Sequence, residues 1–100
     1  MAVNHKRLVK ILKALGNEHR LSLYLQIAEQ QEAGFEDHGC VVSDIMKAIK
    51  LSAPTISHHL KELANAELIS TERDGKYLMA RIVKETVDEL EQILIAVRGA

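Results

Sequence analysis

Leu8, Ile11, Leu12 and Leu15 recur at i, i+3, i+4 and i+7, the spacing of one helical face, and the run stops at Gly16. Asn17 is placed to cap a second helix, with Leu21, Tyr24, Leu25 and Ala28 as its inward face. The period dissolves in EQQEAGFEDHG, residues 29–39, which reads as a helix end and an acidic loop broken at Gly34 and Gly39. A short third helix follows, with Ser43 as its cap and Ile45, Ala48 and Ile49 inward, stopping near Lys50–Leu51. In the next stretch, LSAPTISHHLKEL, Ser52 is a good N-cap, and Pro54 fits the first turn, where its missing N–H costs nothing. Ile56, Leu60 and Leu63 form the buried stripe of this fourth helix.

After Leu68 the period changes. LISTERDGKYLMARI, Leu68 to Ile82, reads as two short strands around Arg73-Asp74-Gly75-Lys76, with Asp-Gly as the hairpin dipeptide and positive φ at both central positions. Val83, Val87, Leu90, Leu94 and Val97 then step by three and four along a closing helix, and Ile93 and Ile95 widen its apolar surface beyond one stripe. A terminal helix that apolar needs more cover than a small domain supplies, which points to a second copy. The pattern predicts one domain over residues 1–100, mainly α: about five helices and a two-stranded antiparallel wing. The third and fourth helices, about 43–66, form a helix-turn-helix. The wing occupies about 68–82, and dimerisation is expected through the helices at about 4–15 and 83–97.

Composition changes this picture little. Apolar residues make up 47% of the chain and aromatics 3%, so the core is aliphatic, which suits packed helices. No apolar run approaches the roughly 18 residues that span a bilayer, no signal peptide opens the chain, and a single cysteine excludes an internal disulfide. The expectation is a cytoplasmic protein with no membrane partner. The net charge of −1 argues against nucleic acid until its distribution is read. Residues 25–46 hold five acids and no Lys or Arg, whereas residues 47–81 hold six Lys/Arg against four acids. The fourth helix and the wing are therefore locally basic, with histidines that gain charge in mild acid.

On the fourth helix, Pro54, Ser57, His58, Lys61 and Asn65 share the face opposite the apolar stripe, while His59 leans toward its flank. Adjacent helical residues do not face each other, so His58 and His59 are poorly placed to chelate one ion. No Asp or Cys lies one turn from His58 to make a catalytic pair, and no phosphate loop or hydrolytic metal motif is present, so an enzyme is not expected. What remains is a polar, mildly basic helix face built to touch something. Glu36, Asp37, His38 and Cys40 combine ligand types that suit Zn²⁺, but so short a span in a glycine-bounded loop rarely closes a tetrahedral site. We expect a solvated acidic loop there, with no metal and no cofactor, His38 and Cys40 being the only residues that would argue otherwise. A Cys40–Cys40 bridge across a dimer is a weaker reading still. The basic first helix has a narrow apolar face without aromatics and reads as a solvated face on a dimerisation helix rather than a membrane anchor.

LKALGNEHRLSLYLQIA, then VSDIMKAIKLSAPTISHHLKELANAELI, then RDGKYLMARI together resemble the arsenic-repressor (ArsR/SmtB-type) winged-helix regulators over about residues 6 to 97. The most specific part is Leu51-Ser52, Thr55-Ile56-Ser57 and His59-Leu60, with Ala14 to Leu21 as a second match. The resemblance implies a homodimeric repressor that leaves a double-stranded DNA operator when an effector, often a metal ion, binds. Carried over by position, the DNA-facing set is Ser52, Ala53, Thr55, Ser57, His58, His59 and Lys61, with Arg73 and Lys76 on the wing. Ala53 departs from the Gln that relatives often carry, and Glu67 from their usual helix-ending Gly. Cys40-Val41-Val42-Ser43-Asp44 lacks the Cys-x-Cys pair of many metal sensors, and residues 83–100 contain no His for the Asp/His site on the last helix. The effector is therefore unnamed. A winged-helix module that binds protein instead of DNA is the alternative, and the two separate on salt dependence.

Overall fold

In the computed structural model, which describes residues 4–33 and 40–99, the chain runs α1 (His5–Leu15), α2 (Glu18–Ala33), β1 (Cys40–Val41), α3 (Val42–Ala48), α4 (Ala53–Asn65), β2 (Ile69–Asp74), β3 (Tyr77–Ile82) and α5 (Lys84–Val97). The expected winged helix-turn-helix is present, and β1 adds a third strand to the wing hairpin in the antiparallel order β1-β3-β2. The expected acidic loop, with Gly34, Glu36, Asp37, His38 and Gly39, lies outside the described residues.

Side-chain caps set three helix starts. Asn4 Oδ1 accepts from the Arg7 amide at 3.1 Å, Asn17 Oδ1 from the Arg20 amide at 3.0 Å, and Ser52 Oγ from the Thr55 amide at 3.4 Å. Such a cap contributes about 1 kcal/mol. Ser43 is not the cap of α3. Pairing of Cys40 with Ala80 and Val41 with Met79 carries extended backbone up to Val41, so the helix starts at Val42 with no side-chain cap, and Ser43 is exposed inside its first turn. Val42 and Ile45 are the buried residues of α3, and Ala48 faces solvent.

α2 also differs from expectation. It buries Leu23, Tyr24 and Ile27, while Leu21 and Leu25 remain 40% and 56% exposed. It does not fade at residue 29 but continues to Ala33, and Gln31 Oε1 accepts the Ile82 amide at 2.8 Å, tying its last turn to the end of β3. Ile11, Leu23, Ile27, Ile45, Ile56, Leu63 and Leu68 form the fully buried centre, joining α1 to α4 and the base of the wing. Each such side chain stabilises by roughly 1.5–3 kcal/mol relative to exposure.

The hairpin turn is displaced by one residue. Asp74 pairs with Tyr77, so Gly75 and Lys76 are the two loop residues, and of these only Gly75 takes positive φ, at 61°. That is the type II′ pattern, glycine first, rather than Asp-Gly at the centre. At the end of α4 the Leu68 amide donates to the Leu63 carbonyl and the Glu67 amide to the Ala64 carbonyl, both at 3.0 Å. These bonds make a Schellman ending, with the left-handed residue at Glu67, φ 59°, where glycine would be unstrained.

Candidate nucleic-acid interface

α4 is half buried and half bare along its length. Ile56, His59, Leu60 and Leu63 are buried, whereas Ser52, Ala53, Pro54, Thr55, Ser57, His58 and Lys61 are exposed. The bare residues crowd the N-terminal end, where the backbone also presents its positive dipole. Ser52 Oγ and Thr55 Oγ1 lie 2.8 Å apart, so one hydroxyl hydrogen is already engaged and the pair presents mainly acceptors outward. The result is a rigid polar surface of hydroxyls, an imidazole and one ammonium group, short enough to lie across a groove.

His59 does not join that surface. Its side chain is 7% exposed, and its Nδ1 accepts from Arg20 Nε at 3.4 Å. Arg20 in turn donates from Nη1 to the Ala14 carbonyl at 3.2 Å, so one guanidinium ties α4 to the α1–α2 corner. Burial, reinforced by Arg20, His58 and His19, holds the His59 imidazole below its ordinary pKa. The two histidine rings sit 6.0 Å apart at 48°, one outside and one inside. Arg20 gave no warning in the sequence, because its partner lies far along the chain.

The wing rises from the base of α4, which packs on β2. Arg73 and Lys76 are both exposed at its tip. Lys76 Nζ stands 5.4 Å from the ring centre of Tyr77, itself 48% exposed, which puts an aromatic beside the wing cation.

Residues 36–71, which include this whole helix-turn-helix, match the pattern of bacterial regulatory proteins of the arsR family. An arsenical resistance operon repressor from Staphylococcus xylosus is 33% identical over 92 residues, spanning 92% of this chain and 81% of that protein. The chain belongs to the arsR family of bacterial regulatory proteins. An HTH-type transcriptional regulator of Bacillus subtilis is also 33% identical, across 86% of this chain and 93% of its own. Among solved structures, a homodimeric winged helix-turn-helix DNA-binding domain from Mycobacterium bovis, a possible ArsR-family regulator, superposes with a TM-score of 0.69. It is 25% identical and covers 98% of this chain and 90% of that one.

The arsR-family frame makes two other regions informative. The first is Cys40, which is 3% exposed, and whose thiol burial pushes up to about 11, with Asp44 adding to the effect. A thiol held protonated is a poor metal ligand and a poor nucleophile. Among the described residues no three His, Cys, Asp or Glu side chains converge as a metal site, and no helix is long and apolar enough to cross a membrane.

The second is a polar node where both terminal helices meet the end of α4. Thr86, fully buried, donates from Oγ1 to the Glu67 carbonyl at 2.6 Å and accepts from Arg7 Nη2 at 3.2 Å. Arg7 also grips Glu89 through Nε and Nη2 at 2.7 and 3.1 Å and meets Glu67 Oε1 at 3.2 Å. The Arg7 guanidinium holds the Glu89 carboxyl below the usual carboxylate range. Neither Arg7 nor Thr86 was singled out from the sequence as a tie between terminal helices and helix-turn-helix.

Proposed function

We propose that this arsR-family protein is a homodimeric repressor that binds operator DNA in the cytoplasm and leaves it when an effector binds. The observation that carries the reading is the division of α4: an apolar face sunk in the core, and a polar face at its N-terminal end that is exposed among the described residues. Ser52, Ala53, Thr55, Ser57, His58 and Lys61 make up the proposed contact set on α4, and Arg73 and Lys76 the set on the wing. His59 is left out, because its buried ring already has a partner in Arg20. None of the contact residues proposed on α4 is the Arg, Asn or Gln that makes the strongest bidentate base contacts. Phosphate contacts therefore carry a large share of affinity, and half-site spacing and DNA shape much of the specificity.

The dimer reading rests on α5 and α1. Val87, Leu94, Ile95 and Val97 are 38%, 68%, 52% and 72% exposed, and Val9 and Leu12 on α1 are 49% and 54% exposed. An apolar groove of about 440 Å³ runs between α2 and α5, lined by Tyr24, Val87, Leu90, Leu94 and Ile95 among others. An uncovered apolar surface of this kind on a small regulator favours a second copy packing helix against helix. Effector release is taken from the family pattern. Cys40 is not its sensor on this reading, since its thiol is neutral and enclosed.

Saturable, sequence-preferring binding to duplex DNA from upstream of the protein's own gene tests the proposal, with the oligomeric state measured on the same sample. Folded protein that binds no duplex at low salt would leave the protein-interaction reading in its place.

A further inference from the structure

The adjacent histidines of α4 are divided between two environments, and the inner one is held in a way that depends on its proton. His59 Nδ1 faces the Nε–H of Arg20, so it must present a lone pair, and the ring proton belongs on Nε2. A second proton on Nδ1 would set donor against donor and place an imidazolium beside a guanidinium inside the fold. The charges acting on the ring are Arg20 and His19 from α2 and His58 from its own helix, and all of them oppose protonation. α1 and β2, which also pack against α4, contribute none. Arg20 is also held through Nη1 on the Ala14 carbonyl, so turning away from His59 costs it that hydrogen bond.

We propose that Arg20 is a positioning residue for α4, and that its contact with His59 is a latch that holds only while the imidazole is neutral. Acid then releases the buried flank of α4 from α2 and disturbs the surface that the other flank presents. The linkage has one sign. The fold binds neutral His59, so its contribution to stability is complete above the ordinary histidine range near pH 6.5 and is lost as pH falls below it. The consequence for DNA rests on the function proposed above, but the latch itself does not.

The test follows the histidine rings of the full chain by nitrogen NMR during an acid titration, in wild type, Arg20→Gln and Arg20→Lys. His59 is expected to take its proton below the ordinary histidine range and to do so earlier in Arg20→Gln, with Arg20→Lys restoring the delay through its charge. Titration of His59 in the ordinary histidine range, unchanged by Arg20→Gln, would overturn the latch. Duplex affinity is then compared at about pH 7.5 and about pH 5.5 in wild type and His59→Gln, whose amide oxygen accepts from Arg20 but takes no proton. The two proteins differ only at His59, so the comparison isolates that side chain. Wild type should lose several-fold in affinity relative to His59→Gln on acidification, and identical pH dependence would contradict the proposal. Absence of duplex binding at both pH values, with delayed titration of His59 retained, would uphold the latch and remove the DNA reading alone.

Discussion

Helices α4 and α5 are 13 and 14 residues long, and both are amphipathic, yet the single chain treats them differently. It buries four side chains of α4, three of them aliphatic, and leaves a polar face outward. On α5 it buries only Thr86, a polar residue, and leaves Leu94 and Val97 at 68% and 72% exposure. A helix whose apolar side is satisfied within its own chain is free to use its polar side for a ligand. A helix whose apolar side is unsatisfied keeps that side available for assembly. The polar node of Arg7, Thr86, Glu67 and Glu89 ties the two terminal helices to the end of α4.

The largest effect that sharpens this contrast is expected from Leu63→Ala in α4. Removing a side chain with no exposed surface should cost about 2–5 kcal/mol in urea denaturation, with the variant's folded chain destabilised at any protein concentration. Leu94→Glu on α5 should instead convert dimer to monomer in sedimentation. A Leu94→Glu protein that stays dimeric would remove α5 from the interface.

Thr86→Val comes next. It removes the donor to the Glu67 carbonyl and one partner of Arg7 while keeping the shape, and should cost about 1–3 kcal/mol by the same denaturation measurement. No loss would mean that the node carries no energy. Glu67→Gly is expected to act in the opposite direction. Relief of the left-handed residue is worth about 1–2 kcal/mol, offset by the exposed Arg7 contact, worth up to about 1 kcal/mol, so a net gain of at most about 2 kcal/mol should appear. The smallest effect is at Cys40: a thiol raised to about 11 should resist alkylation near neutral pH in the native protein and react once it is unfolded.

Much of this was legible in the residue pattern, and the exceptions have physical causes. Asn17 and Ser52 announced their helices because a capping oxygen acts within three residues of itself, and Ile56, Leu60 and Leu63 fixed the face of α4 by a clean helical period. The face of α2 could not be chosen from pattern alone, since Leu21, Leu23, Leu25 and Ile27 step by two and surround the helix. Tertiary packing selected Leu23 and Ile27. β1 is two residues long and exists only through its pairing with β3, which also pre-empted Ser43 as a cap. The wing turn was ambiguous by one residue because Gly75 serves either register, and cross-strand pairs such as Ile69 with Ile82 decided it. In the candidate site, the lean of His59 toward the core was visible on the helical wheel. Its partner Arg20 was not, because nothing local connects the two segments, and the same holds for Arg7 and Thr86.

The measurement that bears most directly on the account is the salt dependence of duplex binding by wild type, Lys61→Ala and Arg73→Ala. If α4 and the wing grip phosphates, log K should fall linearly with log salt, by about 0.9 per phosphate neutralised. Each variant should then bind more weakly, with a slope shallower by up to about 0.9. Binding that ignores salt, or variants that keep both the affinity and the slope of wild type, would contradict the claim that this surface is the one that meets DNA.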